Sequence, residues 1–208
     1  MQIINKPLKH RIIEISYKKK LSHLGSVLTA VDIIKEIYDI KKPDEKFVLS
    51  SGHAALALYV VNEASDGRNA EEAFDHHGVH PDRCKECSIY VSAGSLGHGI
   101  GIAVGIALAD RNKNVYCLIS DGECAEGSLW EALRIQRQLR LDNLIVYLNY
   151  NGWSAYQESN PFSLIRHIDF PAIIRQTNVD YLPFLKGQIG HYKVMDETDH
   201  QQAMGILK

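Results

Sequence analysis

No block of this 208-residue chain is rich in lysine or arginine beyond Lys18-Lys19-Lys20, so a nucleic acid is not the expected partner. No apolar run is long enough to cross a membrane. The most apolar stretch, residues 100–109, is short and studded with glycine. The residues after Met1 lack the apolar segment of a secretory signal. Four cysteines do not suggest a disulfide scaffold in a chain of this size. There is no internal repeat and no low-complexity tract. What is left is a weakly acidic chain, of formal net charge −2 and pI near 6.5, long enough to bury a sizeable core in one domain. A soluble, cytoplasmic protein is expected.

The apolar pattern predicts helices over residues 8–21, 30–40, 54–62 and 100–110, with Ile33, Ile34 and Ile37 on one face of the second. It predicts strands over 46–49, 89–92, 115–119 and 144–148, with a further short strand near Ile173 and a helix near Gln201. Residues 65–86, polar and rich in histidine, read mostly as loop, as do 93–99. Ser128 and Glu131 fit a capping box at the start of a helix that carries Leu129, Ala132, Leu133 and Leu139 on one stripe. Strand, helix and strand within about 35 residues make a βαβ unit, so a parallel sheet is expected.

Two strand-like runs end in polar residues thirty positions apart, Asp121-Gly122-Glu123 and Asn149-Tyr150-Asn151. In a parallel α/β sheet, ligands sit at the carboxyl ends of the strands. A carboxylate and an amide oxygen are hard ligands that suit Mg²⁺ or Ca²⁺ rather than zinc. Mg²⁺ usually shares its shell with phosphate oxygens, and Gly122 lets a phosphate approach the backbone near a helix start. The stretch therefore reads as a Mg²⁺–diphosphate site. From spacing alone, Asp-Gly as a plain turn and Asn151 as a loop cap remain open.

Asp-Gly-Glu followed by an asparagine at this distance resembles the thiamin diphosphate motif of transketolase-like enzymes, with Ser120 in place of the first glycine of Gly-Asp-Gly…Asn. Other landmarks of a transketolase amino-terminal half follow in order. Ser22-His23-Leu24-Gly25 is similar to Gly-His-Pro-Gly, and the run from Phe47 to His53, FVLSSGH, to the family's FVLSxGH. His80-Pro81-Asp82-Arg83 resembles Gly-His-Pro-Asp/Glu. The run SAGSLGHG from Ser92 to Gly99 resembles Thr-Gly-Pro/Ser-Leu-Gly-Gln/His-Gly, and Gly187 with His191-Tyr192 a late Lys-Gly…His-Tyr element. Six elements in order over residues 22–192 make the match specific.

The resemblance implies a parallel α/β fold with helices on both faces, residues 1–208 forming one diphosphate-binding domain. It implies thiamin diphosphate and Mg²⁺ as cofactors. The metal ligands would be Asp121, Asn151 and the backbone carbonyl of Trp153, and Gly122 would meet the diphosphate. Gly94 and Leu96 would hold the aminopyrimidine ring through their backbone, and Glu126 would sit at an interface. His53 and His191 would contact phosphate or substrate, and His23, His80 and His98 would face the thiazolium and the substrate oxygens. In such enzymes the cofactor makes and breaks the carbon–carbon bond during transfer of a ketol unit from a ketose phosphate to an aldose. It lies between this domain and a pyrimidine-binding domain whose glutamate meets the aminopyrimidine. That second domain is expected on a separate carboxy-terminal subunit, in an α2β2 assembly. The helix with Gly101 and Gly105 and the loop with Glu126 would be the contact surfaces.

Other readings compete. Cys84-Lys85-Glu86-Cys87 with His76, His77 and His80 can bind zinc, although His80 has a competing role and a second ligand pair is missing. The glycines at 97, 99, 101 and 105 lack dinucleotide spacing, and Gly101 and Gly105 read as close-packing sites. A deoxyxylulose phosphate synthase-like enzyme should differ at the His80 and 94–99 elements. A non-catalytic subunit should have lost metal or histidine positions, and none is lost. Residues 152–157 depart from the family's loop, and the run 157–173 is short.

Overall fold

The computed structural model describes residues 3–165 and 170–208. Four strands form one sheet in the order β1 (Lys46–Leu49), β2 (Val115–Ser120), β3 (Leu144–Tyr150) and β4 (Ala172–Gln176). Each adjacent pair is parallel. The helices are α1 (Lys6–Lys19), α2 (Leu24–Ile40), α3 (Ala55–Asp66), α4 (Ala70–His77), α5 (His98–Ala109) and α6 (Gly127–Gln138). Later in the chain come α7 (Phe162–Ile165), α8 (Ile189–Tyr192) and α9 (Glu197–Leu207). Among the described residues no helix is long and apolar enough to cross a membrane.

Strand side chains alternate between two cores, as the two-residue period requires. Phe47, Leu49, Tyr116, Leu118 and Tyr147 join the apolar faces of α1, α2 and α3. Val48, Val115, Cys117, Ile119, Val146 and Leu148 join those of α5 and α6. Helices therefore cover both faces of the sheet. β2 is buried at every position, the mark of a central parallel strand. The expected α/β architecture is thus present, and the βαβ unit is β2–α6–β3.

Local differences have local causes. The stretch 65–86 contains a true helix, α4, because Asn69 caps it, accepting from the amides of Glu71 and Glu72. α2 starts six residues earlier than the sequence pattern suggests. The expected strand at 89–92 is only an isolated antiparallel bridge between Cys84 and Ile89. Ser128 does not cap α6: its N-cap is Glu126 and makes no side-chain cap bond. The capping box lies upstream, with Ser120 and Glu123, on the 3₁₀ turn at Asp121–Ala125. Leu129, Ala132 and Leu133 are buried, but Leu139 is the C-cap of α6 and exposed. Gly101 and Gly105 do not pack closely inside this chain, since a Cβ on either would meet nothing within 4 Å. The shortened run 157–173 includes residues 166–169, which lie outside the described residues.

Candidate active site

β2 and β3 run side by side with Ser120 opposite Asn149, so Asp121 and Asn151 leave adjacent strands on the same edge of the sheet. The segment after β1 brings His53 to that edge. There Gly52 lies so close to the loop before α5 that a Cβ would sit 1.9 Å from the Ala93 carbonyl oxygen. Any residue but glycine would push the His53 turn away from that loop.

A cavity of about 270 Å³ opens at this edge. It is lined by His23, His53, His80 and His191, by Gly94, Leu96 and Gly122, and by Asp121, Asn151 and Trp153. Ten sequence-selected residues, drawn from six separate motifs, thus converge on one space. A second cavity of about 220 Å³ adjoins it through Ser26, Asn151, Trp153 and His191 and reaches Thr177 after β4. His98 and Glu126 do not reach either space. Both are exposed, at the starts of α5 and α6, and Glu126 packs beside Gly97.

Three imidazoles cluster at the cavity wall. The ring of His23 lies 4.5 Å from that of His191 and 5.7 Å from that of His53. His53 and His191 are 5.8 Å apart. His23 is the N-cap of α2 with φ 63°, a left-handed conformation that a non-glycine residue adopts at a cost of about 1–3 kcal/mol. Its amide donates to the His191 carbonyl at 2.8 Å, and its Nδ1 lies 2.8 Å from the Ser22 hydroxyl.

Burial, then the neighbouring His191 and His80, pull His23 down to about 4. Burial and the other three histidines pull His53 down to about 3, and burial lowers His191. At neutral pH these three are uncharged, each with one donor and one acceptor nitrogen. The unfolded chain binds protons at these positions near pH 6.5, the folded chain only at lower pH. Stability should therefore fall as pH drops below about 6.5, until the folded-state values are passed. Asp121 acts with the opposite sign, because its folded value is raised. Comparison with a variant isolates the histidines: melting temperature should fall less steeply with acid in His53→Asn than in the natural chain. Parallel curves would show that His53 titrates normally.

Asp121 is 1% exposed. Its Oδ2 accepts from the Gly152 amide at 2.7 Å and its Oδ1 from the Gly122 amide at 3.0 Å. Burial pushes its carboxyl up to about 7, and what offsets that burial is backbone amides, not a cationic side chain. A carboxylate held dry without a positive partner fits a divalent cation, which would keep it ionised. Asn151 offers Oδ1, which accepts from the Trp153 amide at 2.9 Å and keeps a second lone pair.

Sequence reasoning missed the residues that hold this edge in place. Glu123 is fully buried. Its Oε1 accepts from the Ser50 hydroxyl at 2.5 Å and the Gly97 amide at 2.9 Å. Its Oε2 accepts from the Ser120 amide at 2.8 Å and, more weakly, from the Ser120 hydroxyl at 3.3 Å. Burial raises its pKa. One carboxyl therefore binds the ends of β1 and β2 to the loop before α5, and Ser120, the departure from Gly-Asp-Gly, supplies a donor to it. Thr29 of α2 accepts from Asn149 at 2.9 Å and lies 3.4 Å from the Asn151 amide nitrogen. The two-residue spacing of Asn149 and Asn151, which puts both on one side of a strand, was the available signal.

A family model described as "Transketolase, thiamine diphosphate binding domain" matches residues 17–160. One component of the apulose-4-phosphate transketolase of Phocaeicola vulgatus, named as a subunit of that enzyme, is 34% identical over 163 residues, covering 69% of this chain and 58% of that protein. Transketolase of Homo sapiens is 36% identical over 140 residues, 61% of this chain and 21% of that one. This chain thus matches little more than half of the first and about a fifth of the second. A solved structure of a candidate thiamin diphosphate-dependent enzyme from Mycobacterium smegmatis aligns with a TM-score of 0.42 and 22% identity over 62% of this chain and 22% of that one, a likeness too distant to bear on the site.

Proposed function

The chain belongs to the transketolase family of thiamine diphosphate binding domains, and we propose that it is the amino-terminal subunit of a split transketolase-like enzyme. The reaction is transfer of a two-carbon ketol unit from a ketose phosphate to an aldose. The observation that carries this reading is the single cavity that gathers His23, His53, His80, His191, Asp121 and Asn151 at the carboxyl ends of parallel strands.

Asp121, Asn151 and the Trp153 carbonyl would hold Mg²⁺, and Gly122 would border the diphosphate. The Gly122 amide is turned to Asp121, so its part is close approach rather than donation. Gly94 and Leu96 would support the aminopyrimidine ring. Thiamin diphosphate, when bound, supplies the electron sink for carbon–carbon cleavage. The chain's own work is to seat it and to manage protons. Neutral imidazoles suit hydrogen bonding and proton transfer with sugar hydroxyl and carbonyl oxygens. Ser22 occupies one nitrogen of His23 and leaves Nε2 for a bound molecule.

A second chain is part of the proposal. The Phocaeicola vulgatus relative, named as one subunit of a transketolase, supports it, and so does α5. That helix has no charged residue from Gly99 to Ala109, yet Gly101, Gly105 and Leu108 are exposed. A helix apolar all round belongs in an interior. We assign its open side, with Glu126 nearby, to a carboxy-terminal subunit in an α2β2 assembly, and the enzyme to the cytoplasm, where sugar phosphates are its substrates.

The test is ketol transfer over a panel of ketose phosphates and aldehydes, with the partner present. Replacing His23 or His53 by alanine should cut kcat on the order of 10²–10³-fold and leave a cooperative melt, since both sit in turns where a lost side chain leaves little core cavity. Unchanged turnover, or loss of the cooperative melt, would remove the catalytic assignment.

A further inference from the structure

We propose that Cys84, Cys87 and His77 form a site for one soft divalent cation, Zn²⁺, which ties the loop carrying His80 to the end of α4. Among the described residues these three offer ligand atoms that all lie within 4.8 Å of one another. The site stands apart from the catalytic cavity and does not rest on the function proposed above. His80, the histidine nearest in sequence to the Cys-x-x-Cys motif, lines that cavity. His77 takes its place as the third ligand.

The backbone builds the thiolate pair. Cys84 and Ile89 exchange two hydrogen bonds of 2.9 Å, and the Ser88 amide donates to the Lys85 carbonyl at 3.1 Å. Ser88 takes φ 60°, which lets the chain turn back directly after Cys87. This tight turn brings both sulfurs together, 2.7 Å apart. A tetrahedral zinc with bonds of about 2.3 Å needs the sulfurs about 3.8 Å apart. Rotation of the two cysteine side chains supplies that opening.

His77 closes the third side. It is the last residue of α4, and its Nε2 is buried with no hydrogen-bond partner, a state that usually costs free energy and that a metal bond would relieve. Burial and the adjacent His76 lower the His77 pKa, so the ring is neutral, as a ligand must be. Burial and Cys84 push the Cys87 thiol up to about 11, so zinc binding would displace the Cys87 proton to solvent. Two thiolates and an imidazole favour zinc over Mg²⁺ or Ca²⁺. The fourth position opens toward Glu86, whose carboxylate lies 3.7 Å from Cys84 Sγ, or is filled by water.

The experiment uses the full chain, with any protein that co-purifies, prepared under reducing conditions without chelator. Mass spectrometry of metals should find about one zinc per chain, and Co²⁺ exchanged for it should give the near-ultraviolet charge-transfer band of a thiolate–cobalt bond. The clustered imidazoles of the catalytic cavity can also take up these ions, but they give no such band. Cys84→Ser with Cys87→Ser should abolish the band, and His77→Ala should weaken zinc binding at least about 10-fold against a chromophoric chelator. If the double variant fails to fold, chelator competition and the cobalt spectrum of the natural chain decide. No thiolate band, no zinc uptake in competition, or a Cys84–Cys87 disulfide in the reduced preparation would each overturn the proposal.

Discussion

Purified on its own, the chain should transfer no ketol unit above background, and adding the partner subunit should restore activity by at least about 10⁴-fold, the upper range of one positioned acid–base group. The cavity explains why. In the transketolase-like enzymes that the sequence resembles, a glutamate from a second domain meets the aminopyrimidine ring. Among the described residues lining this cavity the acid is Asp121, which fits the metal. Glu123 has both oxygens engaged by hydroxyls and amides. Glu126 is exposed and outside the cavity. The open apolar side of α5 would give such a second chain a place to dock, and covering Leu108, 45% exposed, would add apolar burial. Ketol transfer measured with each chain alone and with both together decides it. Robust activity from the lone chain would end the split-enzyme reading.

Asp121→Ala should lower thiamin diphosphate affinity in the presence of Mg²⁺ by more than the roughly 10–100-fold expected for losing a group behind a metal ligand. Asn151→Ala should cost less, about 10-fold, because water can replace a neutral amide oxygen more readily than an anionic one. The asymmetry follows from charge: of the two, only Asp121 would bring a full negative charge to the ion, from a setting dry enough to raise its pKa to about 7. Calorimetry of the assembled enzyme, with Mg²⁺ and with chelator, measures both variants. Equal affinity in the natural and Asp121→Ala enzymes would dismiss the metal site.

How much of this could be seen in the sequence depends on range. β2 and β3 show as apolar runs because both faces of each strand are buried, and their parallel pairing follows from the helix between them. Asp121 and Asn151 could be placed side by side for the same reason. α4 could not be read, since its acidic and histidine-rich face hides a short apolar one, and its stability comes from the Asn69 cap and from packing on α3. Nothing near Glu123 in the sequence marks it as a buried acid. Only the fold shows that the hydroxyl of Ser50 and the amide of Gly97, far away in the chain, arrive to bind it. The start of α6 is ambiguous in the sequence because a Ser–Glu pair at capping distance exists twice, at 120 and 128, and the fold uses the first, on the turn before the helix.

The link between His23 and His191 has a consequence for the order in which the protein folds. Their backbones are joined by one hydrogen bond. Two residues on, Gly25 lies so near Gly190 that a Cβ would sit 3.2 Å from the Gly190 carbonyl oxygen. Made directly in the unfolded chain, these contacts would close a loop of almost its whole length, at on the order of 4–5 kcal/mol of chain entropy. Once β4 has joined the sheet, only the short loop after Gln176 remains to close. The sheet and the helices around α2 can assemble from closer partners first, since short-range contacts form faster than distant ones. The imidazole cluster is therefore a late product of folding, made when the carboxy-terminal segment docks and α9 settles on α1. A nascent or nicked chain that has formed its sheet but not this closure would hold Asp121 and Asn151 in position and still lack His191.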